Sequence, residues 1–197
     1  MKKPSGKRPA SKSPTQSKLR IIGGEWRSRQ LPIPNIEGLR PTTDRVRETV
    51  FNWLNFEIPG ASCLDLFCGS GALGFEALSR GAKDCTFVEL NRSVSEQITT
   101  NLKTLNANNA QVVHGDAATF LRQAPTPFDV IFLDPPFRKD LLEQVIPAIA
   151  AAGWIKPQGY IYIERESEKA LDFLPDNWQL EKEKVAGQLT FALYRNV

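Results

Sequence analysis

The run Asp134-Pro135-Pro136-Phe137 has the side chains needed to activate an exocyclic base amine. Such an amine is a poor nucleophile because its lone pair is delocalised into the ring. Acceptors that hold its two hydrogens direct that lone pair at an electrophile. Asp134 supplies one acceptor and the Pro135 carbonyl supplies another, while the consecutive prolines restrict the backbone and preposition both. Phe137 can stack on a base swung out of its helix or loop. The alternative is that Asp-Pro-Pro only ends a strand.

A glycine-rich turn precedes this run, with Gly69, Gly71 and Gly74 in the pattern G-x-G-x-x-G. Small residues between a strand and a helix let a nucleotide-like ligand approach the backbone. Glycine can also serve a tight turn for steric reasons alone. Glu89, twenty residues after Gly69, is placed to accept hydrogen bonds from both hydroxyls of a ribose. These residues fit a nicotinamide dinucleotide as well as S-adenosylmethionine.

Acidic residues recur at the ends of the predicted strands, at Asp65, Glu89, Asp116 and Asp134. If these strands are parallel, the four side chains share the edge of the sheet where open α/β folds bind ligands. Asp116 taken alone is a helix N-cap. As part of the array, Asp116 or a neighbouring backbone group can accept from an adenine amino group while the ring stacks on apolar neighbours.

Three classes of function could explain these motifs. A nicotinamide oxidoreductase would use the glycine-rich turn and Glu89 but has no need for the Asp134 run. A non-catalytic RNA-binding assembly factor would not need that run intact. A methyltransferase acting on a base amine uses both elements, and the run by itself fits guanine N2, adenine N6 or cytosine N4.

From residue 62 onward, apolar strands alternate with amphipathic helices, which predicts a parallel sheet in a doubly wound α/β domain. Strands are predicted at 63–67, 86–89, 111–113, 130–133 and 160–164. Helices are predicted near 72–80, 93–105, 117–123 and 140–152. Two further strand-like runs, 178–185 and 189–195, are joined by Gly187 and predict a closing hairpin.

The first 55 residues differ from this pattern. Residues 1–18 are rich in Lys, Ser and Pro and are expected to form a disordered basic arm. Residues 19–55 are expected to form an RNA-contacting extension. Within it, a hairpin turns at Gly23-Gly24 and projects Arg20, Trp26, Arg27 and Arg29, and a helix of about three turns with a Thr or Asp N-cap follows. Residues 56–197 then form the cofactor-binding domain.

Charge is concentrated at the N-terminus, where residues 1–30 hold nine Lys or Arg and one acidic residue, Glu25. The whole chain carries only +3. Such a basic block indicates a polyanion partner or a solubilising tail.

No apolar stretch approaches a membrane span or a secretory signal, so we expect a cytoplasmic protein. Cys63, Cys68 and Cys85 show no metal-ligand spacing and are expected to be buried thiols, and we expect no metal. His114 is expected to be structural.

Residues 19–197 resemble the bacterial 16S ribosomal RNA guanine-N2 methyltransferase RsmD family, which belongs to the Rossmann-like class I methyltransferases of the D/N-P-P-Y/F group. The specific match is the run Arg40-Pro41-Thr42-Thr43-Asp44-Arg45-Val46-Arg47-Glu48. Further matches are Arg20-Ile21-Ile22-Gly23-Gly24, the segment 64–71 and the Asp134 run.

The resemblance implies methyl transfer from S-adenosylmethionine to N2 of one guanine in 16S ribosomal RNA, in the small subunit or an assembly intermediate. It implies a seven-stranded, mostly parallel sheet with a C-terminal antiparallel hairpin and a small N-terminal extension. We expect a monomer, and the runner-up function is an adenine-N6 methyltransferase of RNA or DNA. The expected cofactor-binding residues are Asp65, Phe67, Gly69, Gly71, Glu89, Leu90, Asp116 and Ala117. The expected RNA-binding residues are Arg20, Arg27, Arg29, Arg40 and Arg45. The segment 40–47 can contact phosphate or help position the methionine end of the cofactor, and a helix N-terminus with solvated arginines also explains it.

Overall fold

The computed structural model describes residues 17–36 and 42–197. The predicted arm up to residue 16 and the predicted RNA-binding residue Arg40 lie outside the described residues. The strands are β1 (Lys18–Arg20), β2 (Gln30–Pro32), β3 (Ser62–Asp65), β4 (Asp84–Glu89), β5 (Ala110–His114), β6 (Phe128–Leu133), β7 (Ile155–Glu166), β8 (Trp178–Ala186) and β9 (Leu189–Asn196). The helices are α1 (Asp44–Trp53), α2 (Ala72–Ser79), α3 (Arg92–Leu105), α4 (Ala117–Leu121) and α5 (Leu141–Ala152).

Seven strands form one twisted sheet in the order β5-β4-β3-β6-β7-β9-β8. The pairs from β5 to β7 are parallel, and β9 pairs antiparallel with both β7 and β8. Successive strand residues point to opposite faces, so Cys63 packs with α1, α2 and α3 on one face while Leu64 packs with α4 and α5 on the other. The predicted doubly wound α/β fold and its C-terminal hairpin are confirmed.

Strand β8 forms one edge of this sheet and pairs only with β9. Trp178 is buried, but every later residue of the strand is exposed, including the charged run Glu181-Lys182-Glu183-Lys184. The pairing register with β9 shifts between Leu180 and Lys182. The edge is therefore polar and irregular.

Helix α1 begins as the sequence predicts. The Thr43 side chain is the N-cap and accepts from the backbone N–H of Val46 at 3.4 Å, and Asp44 lies in the first turn, where an acidic side chain is favoured. Val50 and Phe51 on the buried face are fully enclosed. The helix therefore lies firmly on the sheet and fixes the residues just before it.

The N-terminal hairpin exists, but its predicted turn is wrong. Strands β1 and β2 pair antiparallel, with Leu19 opposite Leu31, and the whole segment 21–29 links them. Gly24 lies against the end of α2, with φ of +75°, and a Cβ there would lie 1.8 Å from the Ser79 carbonyl oxygen. The glycines therefore permit close approach to α2 instead of forming a tight hairpin turn.

Trp26 was expected to project with the arginines, and that prediction is also wrong. Its side chain is 8% exposed, and its backbone N–H donates to Ser79 Oγ at 2.9 Å. Burial of this large ring against α2 adds apolar contact that a projecting ring would lose. Arg27 and Arg29 are exposed, as expected.

Glu76 of α2 is a fully buried carboxylate that holds the extension in place. It accepts hydrogen bonds from the backbone N–H groups of Ile22 at 2.9 Å and Gly23 at 2.8 Å, and from Arg80 Nε at 2.7 Å. Arg47 of α1, itself 1% exposed, places Nη1 at 3.6 Å from the same carboxylate. Buried charges are tolerated where they are paired and hydrogen-bonded. Glu76 thus joins the extension, α1 and α2.

The three cysteine side chains, Cys63, Cys68 and Cys85, are buried and form no disulfide, as expected from the sequence. Burial is the main cause that raises the pKa of each thiol. Among the residues that the structure describes, no helix has both the length and the apolar character needed to cross a bilayer.

Replacing Glu76 by Gln should destabilise the protein by about 3–5 kcal/mol, because the change removes the buried carboxylate that pairs with Arg80 and faces Arg47 Nη1. Glutamine also turns an N–H group toward backbone donors that need an acceptor. The free energy of unfolding, measured by urea denaturation, tests this expectation.

Glu96→Gln is the matched control. Glu96 pairs with Arg92 at 2.9 Å across an exposed helix surface, with both side chains more than half exposed, and loss of such a pair costs about 1 kcal/mol or less. Equal destabilisation by the two variants would contradict the role given to Glu76.

Candidate active site

Four acidic residues follow neighbouring parallel strands at one edge of the sheet. Asp65 ends β3 and Glu89 ends β4, while Asp116 follows β5 by two residues and Asp134 directly follows β6. Because β5, β4, β3 and β6 are consecutive and parallel, their carboxyl ends meet at the same edge. The predicted array is confirmed, and it occupies the edge where open α/β sheets bind ligands.

The glycine-rich turn joins β3 to α2. Gly69 and Gly71 have φ values of +49° and +78°, a region that favours glycine. Gly74 has another reason to be glycine, since a Cβ there would lie 2.2 Å from the Phe87 ring. The first two glycines shape the turn that faces the ligand edge, and the third lets α2 pack closely on β4.

Asp65 is buried beneath this turn and accepts from the backbone N–H of Gly74 at 2.9 Å. Burial raises the pKa of Asp65 to about 8, the Gly74 hydrogen bond opposes that shift, and the charges of Asp134 and Glu89 add to it. The edge therefore gathers negative charge that a cationic ligand would relieve.

Glu89 holds the turn from the neighbouring strand. One carboxylate oxygen accepts from the backbone N–H of Gly69 at 2.9 Å, and the other accepts from that of Asn91 at 2.7 Å. Each oxygen keeps a second lone pair. Leu90 beside it is 68% exposed, which leaves an apolar surface next to the acceptors.

Asp116 is the N-cap of α4 and accepts from the backbone N–H of Thr119 at 2.8 Å. Hydrogen bonds from the Thr119 side chain and backbone lower its pKa. The cap interpretation is confirmed, and contact between Asp116 and a cofactor stays a prediction.

Ala117 is buried at the start of the helix and Phe67 is half-buried in the turn. His114 Nε2 lies 3.1 Å from the Leu90 carbonyl oxygen, which ties β5 to this edge.

The Asp134 run leaves the sheet at the end of β6, the strand beside β3. Asp134 is partly buried, and its Oδ2 accepts from the Thr42 hydroxyl at 2.9 Å. Pro135 is buried, whereas Pro136 is exposed and Phe137 is 45% exposed. The run thus places a carboxylate at the base of the site and an aromatic ring at its surface.

Glu164 on β7 is a site residue that we did not predict from the sequence. Ile163 pairs with Leu133 of β6, so the next residues, Glu164 and Asp134, lie side by side on adjacent strands. Glu164 is 3% exposed and accepts from the Tyr162 hydroxyl at 2.6 Å. The available signal was a fifth strand that also ends on a carboxylate.

The two carboxyl groups perturb each other. Burial raises the pKa of Asp134 to about 6, while hydrogen bonds from Thr42 and Glu164 oppose the shift. Burial and then the charge of Asp134 raise the pKa of Glu164 well above its ordinary value. Like charges at close range do not both ionise readily, so at neutral pH Asp134 is the ionised member of the pair and Glu164 holds the proton.

A shallow, solvent-open cleft with a cavity volume of about 40 Å³ lies beside the run. Phe137 and Pro136 form one wall, Glu164 lies in its lining, and Leu171 and Phe173 add apolar surface. This volume is much smaller than the roughly 300–1,000 Å³ of enclosed small-ligand sites, so a flat ring would lie on the open face of the cleft, against Phe137.

The four predicted RNA-binding arginines that the structure describes differ in their contacts. Arg20 donates to Asp44 through Nε at 3.1 Å and Nη2 at 2.6 Å, and Arg29 donates to the Thr104 carbonyl oxygen at 3.3 Å. Arg27 and Arg45 are exposed. These four side chains remain on the surface, so their predicted RNA contacts stay a prediction.

Within residues 17–36 and 42–197, no group of three His, Cys, Asp or Glu side chains lies close enough together to hold a metal ion. The candidate site is instead built from carboxyl groups, backbone N–H groups and aromatic rings. Such a set binds polar and cationic organic groups and moves protons.

Comparison with known proteins agrees with this geometry. The family model described as conserved hypothetical protein 95 matches residues 19–195. Ribosomal RNA small subunit methyltransferase D of Escherichia coli is 54% identical over 177 residues, which cover 90% of this chain and 89% of that protein. The protein of the same name from Haemophilus influenzae is 49% identical over 185 residues, covering 92% and 95% of the two chains.

Solved structures give the same result. The putative methyltransferase yhhF from Escherichia coli superposes with a TM-score of 0.87 at 51% identity, covering 91% of this chain and 98% of that chain. A putative methylase from Haemophilus influenzae superposes with a TM-score of 0.81 at 46% identity, covering 92% and 99%. The fold, the carboxyl edge and these comparisons together show that the chain belongs to the ribosomal RNA small subunit methyltransferase D family.

Proposed function

We propose that this protein transfers a methyl group from S-adenosylmethionine to the exocyclic N2 amine of a guanine in 16S ribosomal RNA. The observation that carries the proposal is the position of Asp134, between the glycine-rich turn and the cleft beside Phe137. An acceptor placed between a cofactor site and a base site can orient an amine for attack.

The residues at the carboxyl edge fit S-adenosylmethionine. Glu89 and Asp134 bring negative charge to the edge, and their charges raise the pKa of the buried Asp65 between them. That field favours a sulfonium cation and disfavours the pyrophosphate of a dinucleotide. Glu89 can accept ribose hydroxyls with its remaining lone pairs, and exposed Leu90 offers a surface for the adenine ring.

S-adenosylmethionine supplies an electrophilic methyl group on a positively charged sulfur. Asp134 accepts one hydrogen of the target amine, and the Pro135 carbonyl is the proposed acceptor for the other. When the new N–C bond forms and the S–C electron pair returns to sulfur, the nitrogen must lose a proton. Asp134, ionised at neutral pH, is placed to take that proton.

The cleft supports recognition of a base outside its stack. Phe137 offers a half-exposed ring for stacking, and Leu171 and Phe173 add apolar contacts at the far side. Enzymes that modify a base amine must expose it to the active site in this way. Flipping or an unpaired target is therefore part of the proposal.

Ribosomal RNA as the substrate is supported by the relatives named ribosomal RNA small subunit methyltransferase D. Exposed Arg27 and Arg45, together with the basic N-terminal sequence, supply charge for phosphate contacts. Action on the small subunit or its assembly intermediate would require a cytoplasmic location. The choice of guanine N2 follows from the family resemblance, and adenine N6 is the alternative.

Mass spectrometry of nucleosides tests the base and the atom together. Purified protein, isotope-labelled S-adenosylmethionine and unmethylated small subunits should yield labelled N2-methylguanosine. Heat-inactivated protein is the control. Labelled N6-methyladenosine would instead support the alternative, and no label in any nucleoside would contradict methyl transfer to RNA.

Replacing Asp134 by Ala should lower kcat by about 10²–10⁴-fold, the usual contribution of a positioned acid or base. Cofactor affinity, measured by calorimetry, should change little because the glycine-rich turn remains intact. Asp176→Ala, at an exposed position between β7 and β8, should keep wild-type turnover. Near-normal turnover in Asp134→Ala would overturn the assignment.

The pH dependence follows from the pKa of Asp134, which burial raises to about 6. Protonation removes the acceptor, so kcat at saturating substrates should fall as the pH decreases through about 6. Asp134→Asn cannot titrate at this position and should lose that acidic limb in its residual activity. A wild-type kcat that is constant from pH 8 to pH 5 would contradict the role of ionised Asp134.

A further inference from the structure

Thr42 connects the N-terminal extension to the reacting edge of the sheet. It lies just before α1, and its hydroxyl donates to Asp134 Oδ2 at 2.9 Å across 92 positions of sequence. A carboxylate that accepts a hydrogen bond from a fixed hydroxyl has fewer orientations available. Oδ2 of Asp134 is thereby engaged and held toward Thr42.

Thr42 is itself held by a buried side chain. Arg47 Nε donates to the Thr42 carbonyl oxygen at 3.2 Å, and Arg47 Nη2 donates to the Arg20 carbonyl oxygen at 2.9 Å and to Asp44 Oδ1 at 2.6 Å. Arg47 is 1% exposed and lies against Glu76. These contacts set the backbone of Thr42 relative to α1 and β1.

We propose that Thr42 is a positioning residue for methyl transfer, which couples docking of the N-terminal extension to the orientation of Asp134. The inference rests on the proposed role of Asp134 in the reaction. It gives the segment before α1 a function inside the active site, in addition to any contact of its arginines with RNA.

The groups around Asp134 explain what the Thr42 hydroxyl contributes. Glu164 and Tyr162 face it from β7, and Asp65 lies on β3, where the charge of Asp134 raises the pKa of Asp65. Burial is what disfavours the ionised form of Asp134, while hydrogen bonds from Thr42 and Glu164 favour it. Donation by Thr42 therefore both orients Asp134 and stabilises the form that accepts a proton.

Thr42→Val removes the hydroxyl with little change in shape. Because a hydrogen bond to a charged group contributes roughly 1.5–3 kcal/mol, kcat should fall about ten- to hundredfold. KM for RNA and the calorimetric affinity for S-adenosylmethionine should stay near wild type. Thr42→Ser should restore most of kcat. Thr49→Val is the matched control, since the Thr49 hydroxyl donates to the Arg45 carbonyl oxygen within α1.

The pH profile separates positioning from a merely structural role. Loss of the Thr42 hydroxyl should move the acidic limb of kcat to higher pH, while Thr42→Ser and Thr49→Val leave that limb in place. Melting temperatures of all variants are compared with wild type. A Thr42→Val enzyme that melts normally and keeps kcat and the limb would overturn the inference, and so would a defect confined to KM.

Wild type and Asp134→Ala are assayed in parallel so that two failures can be told apart. If wild type transfers methyl groups and Asp134→Ala does not, an unchanged kcat in Thr42→Val contradicts only the proposed role of Thr42. If wild type itself transfers no methyl group to RNA, the proposed function fails and the inference fails with it.

Discussion

The buried charge of Glu76 is the constraint on which the active site depends. This carboxylate is stable in the interior only because backbone N–H groups of the extension and the Arg80 and Arg47 guanidinium groups surround it. The same requirement draws the extension onto α2 and fixes Arg47, which in turn holds Thr42 beside Asp134. A structural ion cluster on one helix is therefore connected to the reacting edge through a few directed hydrogen bonds.

The carboxyl edge of the sheet brings together acidic side chains whose ionised forms are unfavourable there. Asp65, Asp134 and Glu164 are buried or partly buried acids whose pKa values are raised. Each lowers the free energy of unfolding, by an amount that grows as the pH rises from the ordinary carboxyl pKa toward the raised value and is constant above it. A protein that needed only stability would place apolar residues here. The arrangement is intelligible if a cationic ligand and a transferred proton are what these groups bind.

The regular part of the fold could be predicted from the sequence because the local spacing of apolar residues differs between strands and helices. Strands and helices from residue 62 onward lie within a few residues of their predicted bounds, and the acidic strand ends follow from parallel topology. The prediction of a hairpin turn at Gly23-Gly24 was wrong because α2, more than fifty positions away, determines the conformation of those glycines. The Thr42 contact was missed for the same reason, since a side-chain hydrogen bond across 92 positions leaves no local pattern. Glu164 differs, because it ends a predicted strand and parallel topology could have placed it beside Asp134.

Strand β8 has a consequence for the behaviour of the protein in a crowded solution. An edge strand presents unpaired backbone groups that invite a strand from another chain. In β8 the alternating Glu and Lys side chains at 181–184 and the register shift after Leu180 make that edge charged and uneven. A neighbouring molecule would have to desolvate those charges before pairing. The sheet can thus remain open on this side without recruiting further copies into an aggregate.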